Sequence, residues 1–222
     1  MLSLKKYFEG IALLVNLLGK NLDLISKKDI YKALAVQINQ IMRKKVQRNT
    51  RELKENIKKW MMQSEEIKSL LSQGIPGSLN ATFGLTPGSP EDAVKAIVSE
   101  IAEAISIDFR RVSNTLEGGV TFNFQSTDFV NLLGLPQGHQ FSEAGTDLHW
   151  LDWLITKGDS VIVKGYLYQP SNSGRSGGGT MDIGGVFRVP PQYSGTADNN
   201  FVTRAFSGRD KELARILTSF LE

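Results

Sequence analysis

The longest helical pattern constrains this chain most. Ile30, Leu34, Ile38, Ile41, Met42 and Val46, then Leu53, Ile57, Trp60, Met61, Ile67 and Leu71, recur at the spacing of a single apolar helix stripe. At 1.5 Å per residue, a helix from 30 to 72 spans about 60 Å, longer than a domain of this size. Either part of it leaves the domain, or it bends near Asn49-Thr50, where the polar run from Gln47 to Glu52 interrupts the stripe. A helix that outruns its domain needs another surface over its apolar side. Pairing with the preceding helix is one solution, and packing against a neighbouring subunit is the one favoured here.

With 222 residues the chain can bury a full core, and its 22% charged content is that of an ordinary folded protein. It has no cysteine, which excludes disulfide staples, thiolate zinc sites and cysteine nucleophiles. Stability must come from packing or from oligomerisation. The net charge of +3 conceals an asymmetry: residues 1–73 hold 15 Lys and Arg against 7 Asp and Glu, and the remainder holds 11 against 16. Such a chain can stack head to tail with copies or partners, or touch nucleic acid through its basic part. Arg43, Lys44, Lys45, Arg48 and Arg51 bunch around the polar gap and form the candidate contact to DNA or an acidic partner. A solvated lysine-rich helix face is the plainer reading of the same residues.

In chain order, Leu4, Phe8, Ile11, Leu14, Val15, Leu18 and Leu22 predict an amphipathic docking helix over 2–24. Glu9, Gly10 and Asn16 interrupt its apolar run, no signal-cleavage pattern follows, and the run falls short of the roughly 20 residues of a membrane span. A soluble protein without a membrane partner is expected. Ser26 to Asp29 offers a capping-box-like start to the long helix. Residues 74–90, rich in Gly, Pro and Ser, read as a linker. Ser89-Pro90-Glu91-Asp92 opens a further helix, with Ala93, Val94, Ile97, Val98, Ile101 and Ala102 as its buried stripe. Alternation at Ile105, Ile107 and Phe109 and at Val120, Phe122 and Phe124 predicts a hairpin, followed by a short helical turn over 128–133.

A helix from Trp150 to Gly158, capped by Thr146 or Asp147, places Trp150, Trp153 and Leu154 in the core. Strands over 160–168 and 180–189 flank a glycine-serine arm at 171–179, with a bulge or tight turn at Gly184-Gly185. A helix over 210–221 ends the pattern. The expected fold is α+β: a small antiparallel or mixed sheet packed with helices, preceded by a long N-terminal helical segment. Its parts are a basic helical region over 1–73, a linker over 74–90 and an α+β core over 91–222 with a flexible 171–179 arm.

Catalytic chemistry finds little support. There are two histidines, His139 and His149, and no metal-ligand spacing. Gly174 to Gly179 lacks the lysine and the strand-to-helix setting of a phosphate loop. Asp159 and Lys164 suggest a nuclease only until a second acid is sought. No catalytic, cofactor-binding or metal residue is assigned, and no enzyme activity is expected. The candidate neighbour-docking residues are Arg175, Pro190, Pro191, Tyr193, Asn200, Phe201 and Arg204. Aromatics anchor interfaces, the two prolines stiffen the segment before contact, Arg175 can reach a carboxylate or phosphate on a neighbour, and Arg204 a carboxylate such as Asp198 on its own or another chain.

Trp150-Leu-x-Trp153-Leu with Gly158, Arg175-Ser176-Gly177, Arg188-Val189-Pro190-Pro191, Ser194-Gly195-Thr196 and the run from Asn200 to Ala205 resemble structural proteins of tailed bacteriophages. They are similar to the neck and tail-completion (head–tail connector) family, over roughly the last third of the chain. The resemblance implies a non-enzymatic virion component, assembled in the host cytoplasm, that forms a sixfold homo-oligomeric ring. Its implied neighbours are connector, stopper or tail-tube proteins and the DNA that threads the ring. The other reading is a sequence-independent nucleic-acid-binding protein using the basic helix at 43–59.

Overall fold

The computed structural model describes residues 26–124, 129–141 and 145–219. The docking helix expected over 2–24 therefore lies outside the described residues. The long helix, α1 (Lys27–Met62), is continuous, and at 36 residues it is about 54 Å long. The helix runs through Asn49-Thr50 without a break, and the Thr50 hydroxyl donates back to the Val46 carbonyl at 2.7 Å. Its start is the expected one, with the Asp29 amide donating to Ser26 Oγ and that hydroxyl donating to the Asp29 carboxylate at 2.6 Å. The stripe breaks after Met62, where the Ser64 side chain caps a separate helix, α2 (Glu65–Leu71).

The chain folds as two compact units. The first holds α1 up to Glu52, the paired strands β1 (Ile105–Arg110) and β2 (Gly119–Phe124) from Ser106 to Asn123, and the final helix α8 (Asp210–Ser219) from Lys211 onward. The side chain of Asn39 braces the hairpin loop, donating to the Val112 carbonyl at 2.9 Å and accepting from its amide at 2.8 Å. Asn49, buried in the polar gap of α1, donates to Ser219 Oγ at 3.0 Å. Within the gap, Asn49 thus finds a polar partner in the final helix.

The second unit gathers residues 53–105 and 124–210. Leu53, Ile57, Trp60 and Met61 of α1 share its core with Ile67 and Leu70 of α2. The segment expected as a linker is part of that core. Ser78 caps helix α3 (Leu79–Phe83), Gly84 closes it with φ +62°, and Leu79, Ala81, Phe83 and Leu85 are buried. Asn80 donates to the Leu70 carbonyl at 3.1 Å and the Leu79 amide to Ser69 Oγ at 2.8 Å, fixing α3 against α2. The expected boundary at 74–90 therefore moves into α1 and β1, because a Gly- and Pro-rich composition hid four apolar residues that one short helix can bury.

Helix α4 (Ser89–Glu103) follows with the expected stripe, though its cap position is Gly88, with no side-chain cap bond. A short helix α5 (Val130–Leu133) and strands β3 (Gln140–Phe141) and β4 (Asp147–Leu148) lead to the tryptophan helix α6 (Trp150–Ile155). Trp150, Leu151, Leu154 and Ile155 are buried, with the Trp150 ring 5.6 Å from that of Phe83. The cap is His149 without a side-chain bond, not Thr146 or Asp147, because Asp147 pairs with Phe141 in the β3–β4 ladder.

Strands β5 (Val163–Pro170) and β6 (Gly179–Phe187) form an antiparallel two-stranded sheet, and α7 (Phe201–Phe206) follows the proline turn. The register jumps between Lys164 and Tyr166, so the expected bulge is present, shared with Gly184 and Gly185 at φ +108° and +73°. Among the described residues no helix is long and apolar enough to cross a membrane.

Candidate interaction surfaces

The hairpin of β5 and β6 is the part of the second unit least accounted for by its own fold. Each strand has one neighbour only, so both outer edges lack a ladder partner among the described residues. Its base is held firmly. Tyr168 donates its hydroxyl to the Gly178 carbonyl at 2.8 Å and accepts from the Gly77 amide at 3.1 Å. Beyond that anchor the side chains are bare. Tyr166 and Ile183 face each other across the ladder at 47% and 93% exposure, and Met181, Leu167, Val163 and Val186 are each at least 40% exposed.

These residues do not form one patch: Tyr166, Ile183 and Met181 share one face of the ribbon, and Leu167 lies on the other. Burying one side chain of the size of Ile183 contributes about 1.5–3 kcal/mol. An isolated hairpin is marginal in water, and a long apolar edge invites pairing.

The arm at 171–179 is not loose. Arg175 Nη2 donates to the Gly84 carbonyl at 2.7 Å, the Gly179 amide to Ser173 O at 2.9 Å, and Ser176 Oγ lies 3.5 Å from Ala81 O. A Cβ on Gly178 would come within 2.8 Å of the Ile75 carbonyl oxygen, so glycine serves close approach here, not flexibility. Arg175, expected to reach a neighbour, gives one hydrogen bond to its own chain and is exposed.

The 188–206 segment divides likewise. Pro191 is exposed, Pro190 and Tyr193 are half-buried, and the Tyr193 and Ser194 amides donate to Pro190 O at 2.9 and 3.2 Å to close the turn. Gly195 packs so tightly on α6 that a Cβ there would lie 1.9 Å from the Leu154 carbonyl oxygen. Asn200 and Phe201 are fully buried, contrary to their expected place at an interface. Asn200 caps α7, accepting from the Val202 and Thr203 amides at 3.0 and 3.1 Å and donating to Thr196 O at 2.9 Å. Phe201 is a core residue because the cap turns it inward.

Arg204 pairs with Glu66 and not with Asp198. Its Nη2 and Nε reach Glu66 Oε1 at 2.5 and 3.1 Å, and its Nη1 donates to Asn199 Oδ1 at 3.1 Å. Glu66 is 4% exposed, so loss of the arginine would strand a buried carboxylate. No sequence signal could select Glu66, which is 138 residues away.

On α1, Arg43, Lys44, Arg48 and Arg51 are exposed and Lys45 is half-exposed. None of the five has a carboxylate partner among the described residues, although Arg48 Nε donates to Asn49 Oδ1 at 3.2 Å. Lys44, Arg48 and Arg51 follow i, i+4, i+7 spacing and so share one face.

The two histidines, read as unrelated in the sequence, stack at 4.0 Å with their rings 10° from parallel. His139 Nδ1 meets the Asp147 carboxylate at 2.8 Å. His149 Nε2 and the indole nitrogens of Trp150 and Trp153 are buried without a hydrogen-bond partner among the described residues. Among those residues no group of three or more carboxylates and histidines is placed to hold a metal ion.

Burial, then the neighbouring His139, pushes the His149 imidazole below its usual pKa of 6.5, against the opposing pull of Asp152 and Asp147. A histidine depressed in the folded state contributes stability that is present above its unfolded pKa and is lost as pH falls below it. Urea unfolding midpoints should therefore drop as pH is lowered from 7 through 6.5 toward the depressed value. In His149→Gln that part of the slope should flatten, and an identical slope in both proteins would show that another group carries the acid sensitivity.

No protein-family model, curated protein or solved structure matches the chain.

Proposed function

We propose that this chain is a structural subunit of a tailed-phage virion, set in a homo-oligomeric ring at the head–tail joint and leaving a path for DNA. The observation that carries the reading is the β5–β6 hairpin. It is anchored at its base by Tyr168, yet it presents Tyr166, Met181 and Ile183 to solvent with both strand edges unpaired among the described residues. A surface of that kind suits a subunit completed by neighbours. The residues that resemble neck and tail-completion proteins, 150–205, fall together within the second unit, around α6, the hairpin and the Gly195 turn. No enzymatic role is proposed.

Particles purified from an infected culture, imaged with a tag on this chain, should show it as a ring between capsid and tail. Its absence from full particles, with the tagged protein expressed and folded, would remove the reading.

A second reading rests on a separate observation: the exposed Arg43, Lys44, Arg48 and Arg51 and the half-exposed Lys45, unopposed by carboxylates among the described residues. It makes α1 a sequence-independent nucleic-acid contact, on its own or on DNA passing the ring. Duplex affinity should then fall steeply with salt, at a log–log slope of up to about −4 to −5 if all five charges meet phosphates. Changing the five residues to Gln should flatten that slope. Unaltered affinity and slope would exclude this face.

A further inference from the structure

The two histidines meet where the backbone register puts them. Strands β3 and β4 pair Phe141 with Asp147 and Gln140 with Leu148, so the next antiparallel position along the ladder sets His139 against His149. Their rings stack there at 4.0 Å, 10° from parallel. We infer that this pair is an acid-operated clasp: holding at most one proton, it keeps the β3–β4 ladder closed against the tryptophan helix, and a second proton opens it. The clasp is independent of any place in a virion.

Three features of the closed pair make it sensitive to protons. The first is a missing acceptor. His149 Nε2 is buried without a hydrogen-bond partner among the described residues. The other ring nitrogen faces the Leu133 carbonyl, which takes the one proton of the neutral imidazole. Protonation adds an N–H at Nε2 that has nothing to donate to while the pair stays closed, and such a buried donor is costly.

The second is charge. The Asp147 carboxylate, 2.8 Å from His139 Nδ1, can balance one proton on the stack. A second proton sets two cationic rings face to face at the 4.0 Å of the stack. The other charges around the pair do little to offset this. Asp152, in the first turn of the tryptophan helix, attracts a charge on His149, but its carboxylate already accepts from the Thr156 hydroxyl and lies 3.6 Å from Lys157 Nζ. From α4, Asp92 and Lys95 border the same groove as His139, one of each sign. The Pro136–Gly138 turn, β3 and α5 carry no ionisable side chain.

The third is position. His149 occupies the N-cap of the tryptophan helix and makes no capping bond there. Gly138, next to His139, lies so close to that helix that a Cβ on it would come 3.0 Å from the Leu151 side chain. Beyond the histidines the ladder has only two residue pairs, so the stack is a large part of what holds 139–141 to 147–149. Pro136, Gln137 and His139 also wall a groove against Ser89, Ala93 and Ala96 of α4, and opening the clasp frees that wall.

Because the chain has just two histidines, proton NMR of the full-length protein can follow each imidazole beside the backbone amides. From about pH 7.5 down to about pH 5, amide protection factors in 139–141 and 147–149 should fall by up to about tenfold per pH unit, in step with the His149 resonance. Amides of β5 and β6 should hold theirs. His149→Phe keeps a ring in the stack that takes no proton, and it should hold the ladder closed across the range. Asp147→Asn, at an exposed position, removes the balancing charge and should move the opening upward by about half a pH unit or more.

Protection that stays level in the wild type would overturn the inference. A fall of equal size and midpoint in His149→Phe would do the same, by assigning the acid response to another group. A fall shared equally by β5 and β6 would replace a local clasp with general unfolding. Should His149→Phe fail to fold, Asp147→Asn decides: an opening at the same or a lower pH than in the wild type would overturn the clasp.

Discussion

Two strands alone cannot cover both faces and both edges of the sheet they form. That constraint governs the β5–β6 hairpin, and much of the second unit serves to hold it in place. Tyr168 ties its base to the 74–79 turn, and Arg175 and Ser176 reach the carbonyls of α3 and Gly84. Phe187 and Val189, at its far end, are buried. A hairpin so firmly based and so bare above its anchor, with Ile183 almost wholly in water, is rigid where a docking element gains from rigidity. Order already present in the isolated chain need not be created on contact.

The same economy explains which polar residues are available to partners. Asn200 and Arg204 have the chemistry of interface residues, but they are held by their own chain, by the first turn of α7 and by Glu66, while the exposed Arg175 gives one hydrogen bond to Gly84 O. The outward surface includes the apolar residues of the hairpin and the cations of α1, along with Ile75, Val130 and Phe141 elsewhere in the second unit. These surfaces ask for different partners, a strand edge for one and anionic groups for the other. They lie in separate units, so each can be tested alone.

Local periodicity was legible in the sequence. The long helix α1 and the buried half of its stripe from Leu53 to Met61, the α4 stripe, the 105–124 strand pair, the buried Trp150 and Leu154 and the glycine bulge in β6 follow from spacing and residue type, whereas Ile41 of the expected stripe is 54% exposed. The misplaced features depend on distant partners. Composition alone made 74–90 a linker, because nothing local shows that Asn80 will bond Leu70 O or that Leu79 and Phe83 share a core with Trp150. The polar patch at 47–52 left open a bend or a helix that leaves its domain, because the residue that satisfies Asn49, Ser219, is 170 positions away. Phe201 read as an anchor, because a buried and an exposed aromatic look alike until the Asn200 cap fixes the direction of the helix.

The central claim is that β5 and β6 gain their missing neighbours in the assembled ring. Backbone amide hydrogen exchange, resolved to the 163–170 and 179–187 peptides and compared between dilute and assembled protein, measures that gain directly. The account predicts strong protection of outward-facing edge amides on both strands in the assembly, with the Trp150 helix equally protected in both states. Equal exchange of the two strands in the dilute and assembled states would contradict it.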